Sequence, residues 1–278
     1  LFQALARFRG AWWAVLLPAG GALLGVWIVR LLFRESPGHG VPMVLEAVSR
    51  RGGHMRRRSI FSRLFGSMVN VASGGSAGLE GPTVFSAAAV GSVLGASLRV
   101  GERQRVLLLA CGVAGGIGAI FNAPLTGMIF AMEVVLAEWT LGAVLPIAIS
   151  ATVATEIGRH VFGRSGAFAG TEILTWGSAD LAACAVLGAL AGLLSVALVG
   201  LIFRVEGFTR RMGRIRWMSW PGAMAVVGGL GVGALGFWMP RAIGEGYDTV
   251  NLALSGHLEG GLLLLALLGV AKTVATTL

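Results

Sequence analysis

The hydrophobic and polar positions of this chain alternate in long blocks rather than residue by residue. Seven stretches contain no charged residue: 11–29, 64–79, 81–98, 106–132, 139–155, 181–203 and 221–240. Several reach the roughly 20 residues that a helix needs to cross ~30 Å of hydrocarbon. Because backbone amides in lipid must be hydrogen-bonded internally, the pattern predicts a helical membrane protein. Segments of about ten residues with alternating polarity, which indicate an outer-membrane barrel, are not found.

The blocks predict about ten helical pieces of unequal length. We expect full spans near 11–33, 139–161, 178–204 and 218–240, shorter pieces from 41 to 135, and a last apolar stretch from 260 that continues to Leu278. The first block is too long and too rich in tryptophan for a signal peptide, so we expect a retained helix. No soluble domain is expected within residues 1–278.

Composition and charge support a membrane class. The chain is 55% hydrophobic and 13% charged, with a mean hydropathy of +0.81, which excludes the soluble classes. The net charge of +9 does not indicate a nucleic-acid partner, because the arginines lie between apolar blocks as the positive-inside rule describes. The connection that we therefore assign to the cytoplasm contains Arg50, Arg51, Arg56, Arg57, Arg58 and Arg63. Cys111 and Cys184 are too few for a disulfide framework.

Glycine and proline interrupt the apolar blocks. In the run 73–82, glycines permit a helix end, and Pro82 suits the first turn of a new helix. The same pattern recurs at 36–42 and, more weakly, at 121–124. Broken helices at membrane depth are typical of substrate paths, and a helix N-terminus attracts negative charge. The sequence therefore predicts three interrupted helices and an anionic substrate.

These motifs carry a family resemblance. The run Gly78-Leu79-Glu80-Gly81-Pro82 resembles the signature G-[KR]-E-G-P of the CLC chloride channel and transporter family, and Gly38-His39-Gly40-Val41-Pro42 resembles its G-S-G-I-P. Phe121-Asn122-Ala123-Pro124-Leu125 and then Glu133 follow in the family's order, so that the match covers about 31–159. The family's third signature, G-x-F-x-P, is expected beyond Leu278, and its aromatic anion ligands are not assigned here.

The resemblance implies an all-α polytopic membrane protein with a CLC-type inverted repeat of broken, tilted helices. Residues 1–278 would form one anion-transport domain, with a first repeat at about 1–170 and the start of a second at about 178–278. It also implies a homodimer with one pore per subunit and part of its contact on helices 122–160, located in the plasma membrane or a bacterial inner membrane. Neither a cofactor nor a metal is expected.

The resemblance further assigns roles to individual residues. It implies that Glu80 is the gate, which blocks the path when ionised and swings out when protonated or displaced, so that opening responds to protons and anions together. A buried acidic residue in a membrane is a functional candidate in its own right, although a plain helix cap is an alternative. The anion would be bound around Gly38, His39, Gly40, Val41, Leu79, Glu80 and Gly81.

Two positions depart from the family pattern. His39 stands where the family has serine; its ring either donates to the anion or turns away and leaves only loop amides. Val134 stands where proton-coupled members carry an inner glutamate, and valine cannot relay a proton. The neighbouring Glu133 is expected to pair with backbone or a basic residue. We therefore predict chloride transport that is channel-like or weakly proton-coupled, with proton-coupled antiport or fluoride selectivity as alternatives.

Two readings outside transport stay open at this point. Gly74-Gly75-Ser76-Ala77-Gly78 matches G-x-S-x-G, the nucleophile elbow of serine hydrolases, which needs a preceding strand and a histidine base. A family scaffold that has lost transport is another possibility. Lys272, in the last apolar stretch, is expected to snorkel to the membrane surface or to neighbour the pore.

Overall fold

All regular secondary structure in the described part of the chain is helical. The structure, a computed structural model, describes residues 12–35, 40–163, 177–212, 220, 222–255 and 261–277, and within these ranges there are helices but no strand. The all-α class predicted from the apolar blocks is confirmed.

Eleven α-helices follow one another along the described residues. They are α1 (Leu16–Trp27), α2 (Gly40–Arg51), α3 (Ser59–Ala72), α4 (Glu80–Ser97), α5 (Glu102–Phe121), α6 (Pro124–Phe130), α7 (Leu141–Phe162), α8 (Ser178–Met212), α9 (Ala223–Trp238), α10 (Tyr247–Leu254) and α11 (Gly261–Thr277). Short 3₁₀ segments lie at Trp12–Val15 and Pro240–Ala242. The π-helical segments Ile28–Leu32 and Ala131–Leu136 extend α1 and α6.

Two predicted helix breaks are confirmed. Helix α3 ends at Ala72 and α4 begins at Glu80. Helix α5 ends where Asn122 adopts a left-handed backbone with φ 55°, and α6 begins at Pro124, which lacks the N–H that a first turn leaves unpaired. The third predicted break includes residues 36–39, which lie outside the described residues.

Three described helices are long and apolar enough to cross a membrane by length and composition. They are Glu102–Phe121, Leu141–Phe162 and the segment Asp180–Thr209 of α8. The helix Glu102–Phe121 corrects the expectation that residues 41–135 form only helices too short to cross the membrane. Its glycines do not interrupt it because they face neighbouring helices, as small residues do in membrane bundles.

The described chain divides into two compact units. The first unit consists of residues 24–72 and 77–170, and the second of residues up to 23, 73–76 and from 171 onward. The repeat boundaries that the resemblance implies stay a prediction.

Helix α5 forms the core of the first unit, where it packs against α4 on one face and α7 on another. Leu109 and Val113 of α5 are completely buried. The helices come close because Gly112 has no side chain: a methyl group there would lie 2.9 Å from the carbonyl carbon of Ala87 in α4. Backbone approach of this kind replaces the hydrophobic driving force that lipid does not supply.

Two basic connections meet at one end of the first unit. Arg105 Nε, at the start of α5, donates a 2.8 Å hydrogen bond to the Gly52 carbonyl in the loop after α2. Ser92 Oγ of α4 accepts from Met55 N at 2.8 Å and donates to the Gly53 carbonyl at 2.6 Å. Helices α2 and α4 therefore both run toward this end, and α3 and α5 return from it. We refer to it as the basic end.

Candidate functional site

Helices α2 and α4 start in contact with each other at the end opposite the basic end. A methyl group on Gly40, the first residue of α2, would overlap the carbonyl oxygen of Gly81 and lie 2.5 Å from its carbonyl carbon. Gly81 is the second residue of α4. Only glycine at position 40 permits this approach, which brings the first turns of two helices side by side.

The first turn of α4 carries no side-chain cap. Its N-cap residue, Leu79, has no oxygen that could accept from the helix N–H groups, and no capping hydrogen bond is formed. The first N–H group bonded to a helix carbonyl is that of Thr83, which donates to the Leu79 carbonyl at 3.0 Å. A methyl group on Gly81 would meet no atom of the described residues within 4 Å. Uncapped N–H groups and the positive end of the helix dipole suit an anionic acceptor.

The side chain of Glu80 folds back over Gly78. A methyl group on Gly78 would lie 2.8 Å from the Glu80 carboxyl carbon, so only glycine at 78 leaves room for this rotamer. Glu80 is half-buried and has an interaction partner in the structure. The carboxylate therefore lies at the helix start, beside the amides that an external anion would use.

The remaining predicted site residues are distributed as follows. Val41 is half-buried and packs against the core of the first unit. Gly38 and His39 lie outside the described residues. Val134 is half-buried in the π-helical segment after α6, whereas Glu133 is exposed and has no hydrogen bond or ion pair with any described residue. The expected pairing of Glu133 is therefore not observed.

Lys272, which was expected to snorkel to the membrane surface or to neighbour the pore, has polar partners inside the protein. Its ammonium group donates to Ser76 Oγ at 3.0 Å and to the Gly244 carbonyl, within the second unit. Ser76 Oγ also lies 3.4 Å from Thr276 Oγ1. The expectation that Lys272 snorkels outward is wrong, because its charge is used to hold buried backbone and a buried hydroxyl. The signal was available: Lys272 is the single lysine of the sequence, in an otherwise apolar helix.

The secondary structure before Ser76 does not match the nucleophile elbow of a serine hydrolase. Ser76 follows helix α3, whereas a nucleophile elbow follows a strand. The match to G-x-S-x-G reflects the abundance of glycine.

A comparison with known protein families shows to which family the chain belongs. The sequence matches the family model described as Voltage gated chloride channel over residues 20–278. The chain belongs to this family. Its members are transporters and channels rather than enzymes, and the multi-pass membrane location follows from the family and the apolar helices together.

Curated CLC relatives match most of this chain. A ClcB-like protein of Ralstonia nicotianae is 35% identical over 254 residues, which are 86% of this chain and 56% of that protein. The H⁺/Cl⁻ exchange transporter ClcA of Vibrio cholerae is 30% identical over 259 residues, which are 92% of this chain and 55% of that protein. The chain thus spans about half the length of the curated relatives it matches.

Solved structures show the same CLC fold. A slow cyanobacterial Cl⁻/H⁺ antiporter superposes with a TM-score of 0.80 at 21% identity, covering 100% of this chain and 65% of that one. A CLC-type fluoride/proton antiporter gives a TM-score of 0.77 at 20% identity, covering 99% of this chain and 70% of that one. At these identities the likeness concerns the arrangement of helices.

Replacing Lys272 with methionine should destabilise the protein. Loss of the ammonium group leaves the Ser76 hydroxyl and the Gly244 carbonyl without this donor, which costs about 1–3 kcal/mol of unfolding free energy. Denaturant titration in detergent, followed by circular dichroism, measures the change. Thr273→Val is the matched control, since the Thr273 hydroxyl bonds only the Gly269 carbonyl of its own helix. Equal stability of the two variants would contradict a structural role for Lys272.

Proposed function

We propose that the complete protein transports small anions, with chloride as its principal substrate, across the membrane. The supporting observation is the contact between the starts of α2 and α4, which brings two helix N-termini together, with no side-chain hydrogen bond from the N-cap residue of α4. Gly40, Val41, Leu79, Glu80 and Gly81 are the described members of the proposed anion site, and Gly38 and His39 belong to its remaining part. Family membership supports the same class of substrate.

Glu80 is the proposed gate of this path. Its carboxylate and a free anion would use the same N–H groups, so occupation by one excludes the other. Protonation removes the negative charge and with it the attraction to the helix end. The rotamer of Glu80 that folds over Gly78 depends on the absence of a side chain at position 78.

Proton coupling separates two candidate mechanisms. Val134 favours uncoupled or weakly coupled conduction, because valine cannot carry a proton toward Glu80. The second candidate is proton-coupled exchange, which the name of the ClcA relative favours for this chain as well. Fluoride selectivity rests on the departure at His39 and is tested together with coupling.

Anion efflux from liposomes that contain the purified complete protein tests the proposal. We expect chloride release that exceeds that of protein-free liposomes and is not accompanied by proton uptake, because Val134 cannot relay protons. Ion-selective electrodes for chloride, fluoride and protons record the three fluxes in parallel. Proton movement driven by a chloride gradient would instead establish exchange, fluoride release without chloride release would establish fluoride selectivity, and absence of any anion release would identify an inactive scaffold.

Changing Glu80 to glutamine should abolish the dependence of anion flux on pH. Glutamine keeps the size of the side chain but cannot ionise, so acidification no longer removes a competing charge. We expect wild-type flux to rise several-fold on acidification and the variant's flux to stay constant at the higher level. Glu138→Gln is the control, because Glu138 is an exposed carboxylate of the same unit. A variant that retains the wild-type pH response would remove Glu80 from the gate.

The proposed homodimer rests on the resemblance and on one surface feature. Helix α7 exposes an apolar side chain at every fourth position, which forms a continuous ridge: Leu141, Leu145, Ile149, Val153, Ile157 and Val161. A ridge of this kind can pack against its symmetry mate or against lipid. Light scattering on the purified protein in detergent should give twice the subunit mass, and substitution of Ile149 and Val153 with tryptophan should shift it to the monomer. A mass unaffected by these substitutions would assign the ridge to lipid.

A further inference from the structure

The basic end of the first unit contains a cleft whose rim is positively charged. Its volume is about 560 Å³, and its charged lining consists of Arg34, Arg56, Arg57, Arg58 and the titratable His54. No carboxylate lines it among the described residues. None of the four arginines has an ion-pair partner in the described part of the chain. The cleft therefore combines four uncompensated charges with room for a ligand.

A neighbouring cleft of about 520 Å³ at the same end contains acidic as well as basic side chains. It is lined by Glu35 and Glu46 as well as by arginines. Glu46 accepts a 2.8 Å hydrogen bond from Arg51, and Glu35 accepts from the hydroxyls of Ser59 and Ser62, both at 2.6 Å. Its carboxylates have partners within the protein, and it shares Arg34 and Arg56 with the first cleft. Carboxylates offset the positive charge of this second cleft, whereas no carboxylate lines the first among the described residues.

The backbone that carries the arginines is held in place before any ligand arrives. Buried Ser92 anchors the loop at Gly53 and Met55, and Arg105 anchors it at Gly52, as described above. A further bond joins Gly53 N to the Ala47 carbonyl at 2.8 Å. Three consecutive arginines on a loop fixed at three successive points lose less entropy on binding than arginines on a free loop.

The inner wall of the cleft is apolar and continues into an exposed aromatic surface. Phe33 and Val93 line the cleft. The Phe33 ring stacks on Phe65 with centroids 6.2 Å apart, and the Phe65 ring lies 6.4 Å from that of Phe61. Phe61 and Phe65 are 54% and 50% exposed. In a membrane protein such a surface contacts acyl chains, so the charged rim lies where lipid headgroups meet hydrocarbon.

We propose that this cleft binds an anionic glycerophospholipid of the cytoplasmic leaflet, with the phosphate diester among Arg56, Arg57 and Arg58 and the acyl chains along Phe33, Phe61 and Phe65. Guanidinium groups bind phosphate oxygens through paired N–H donors. Basic clefts next to membrane helices on the cytoplasmic side recognise anionic headgroups. The positive-inside assignment of this end supplies the leaflet, and a soluble phosphate would leave the aromatic surface unused.

Native mass spectrometry of the complete protein in neutral detergent tests the proposal with dioleoyl phosphatidylglycerol and dioleoyl phosphatidylcholine as probes. We expect retention of phosphatidylglycerol in preference to phosphatidylcholine. The variant Arg56→Gln/Arg57→Gln/Arg58→Gln should weaken retention by roughly fivefold for each arginine removed. The matched control Arg50→Gln/Arg99→Gln/Arg103→Gln removes the same charge from exposed positions that do not line the cleft, and should retain the lipid.

Each other outcome overturns the proposal. Equal retention of both lipids would mean that the phosphate charge is not recognised, and equal loss in both triple variants would mean a diffuse surface potential. Competition by glycerophosphoglycerol, the headgroup without acyl chains, as effective as that of the lipid would assign the cleft to a soluble phosphate. All six arginines are exposed, so the variants should fold. The single variant Phe65→Ser, which keeps every charge, should also weaken retention of the lipid, and unchanged retention would contradict the acyl-chain contact.

Discussion

The contact between the first turns of α2 and α4 is the constraint on which the candidate site depends. Two helix starts repel each other, because both carry partial positive charge and unpaired N–H groups. The fold brings them together at Gly40, where the absence of a side chain permits contact with the backbone of Gly81. Burial of the rest of α4 against α5 stabilises this arrangement. A negative ion could neutralise the partial positive charge that results. The packing of helices in the first unit therefore creates the candidate site.

The parallel direction of α2 and α4 also explains the charge at their other ends. Both helices run from the candidate site to the basic end, where their C-termini carry partial negative charge. Arg50 and Arg51 occupy the last turn of α2 and complement that charge. One pair of helices thus has its positive tips at the proposed anion path and its negative tips among arginines. The shared direction of the two helices thus places the candidate site at one end of the pair and the arginines of the α2 C-terminus at the other.

Much of this arrangement could be predicted from the sequence, and the limits have physical causes. Proline and glycine located the starts of α4 and α6 because they act locally, on one turn of backbone. The glycines of α5 were harder, since a glycine that breaks a helix and one that seats a neighbouring helix look alike in a single sequence. Gly112 is of the second kind, and its role depends on Ala87 in another helix. The pairing predicted for Glu133 is not observed, for a related reason. Pairing depends on which face the π-helical segment turns outward.

A motif match does not reveal the long-range polar contacts that hold the neighbouring residues. The resemblance located Glu80 through residues 78–82, yet Leu79 stands where the family signature has a cation. The segment immediately before the motif is held instead by Lys272, which donates to Ser76 from 196 positions away along the chain. A cation lost from a motif therefore does not mean that the neighbouring loop is without one. Three-dimensional contacts, rather than agreement with the signature, decide how firmly such a segment is held.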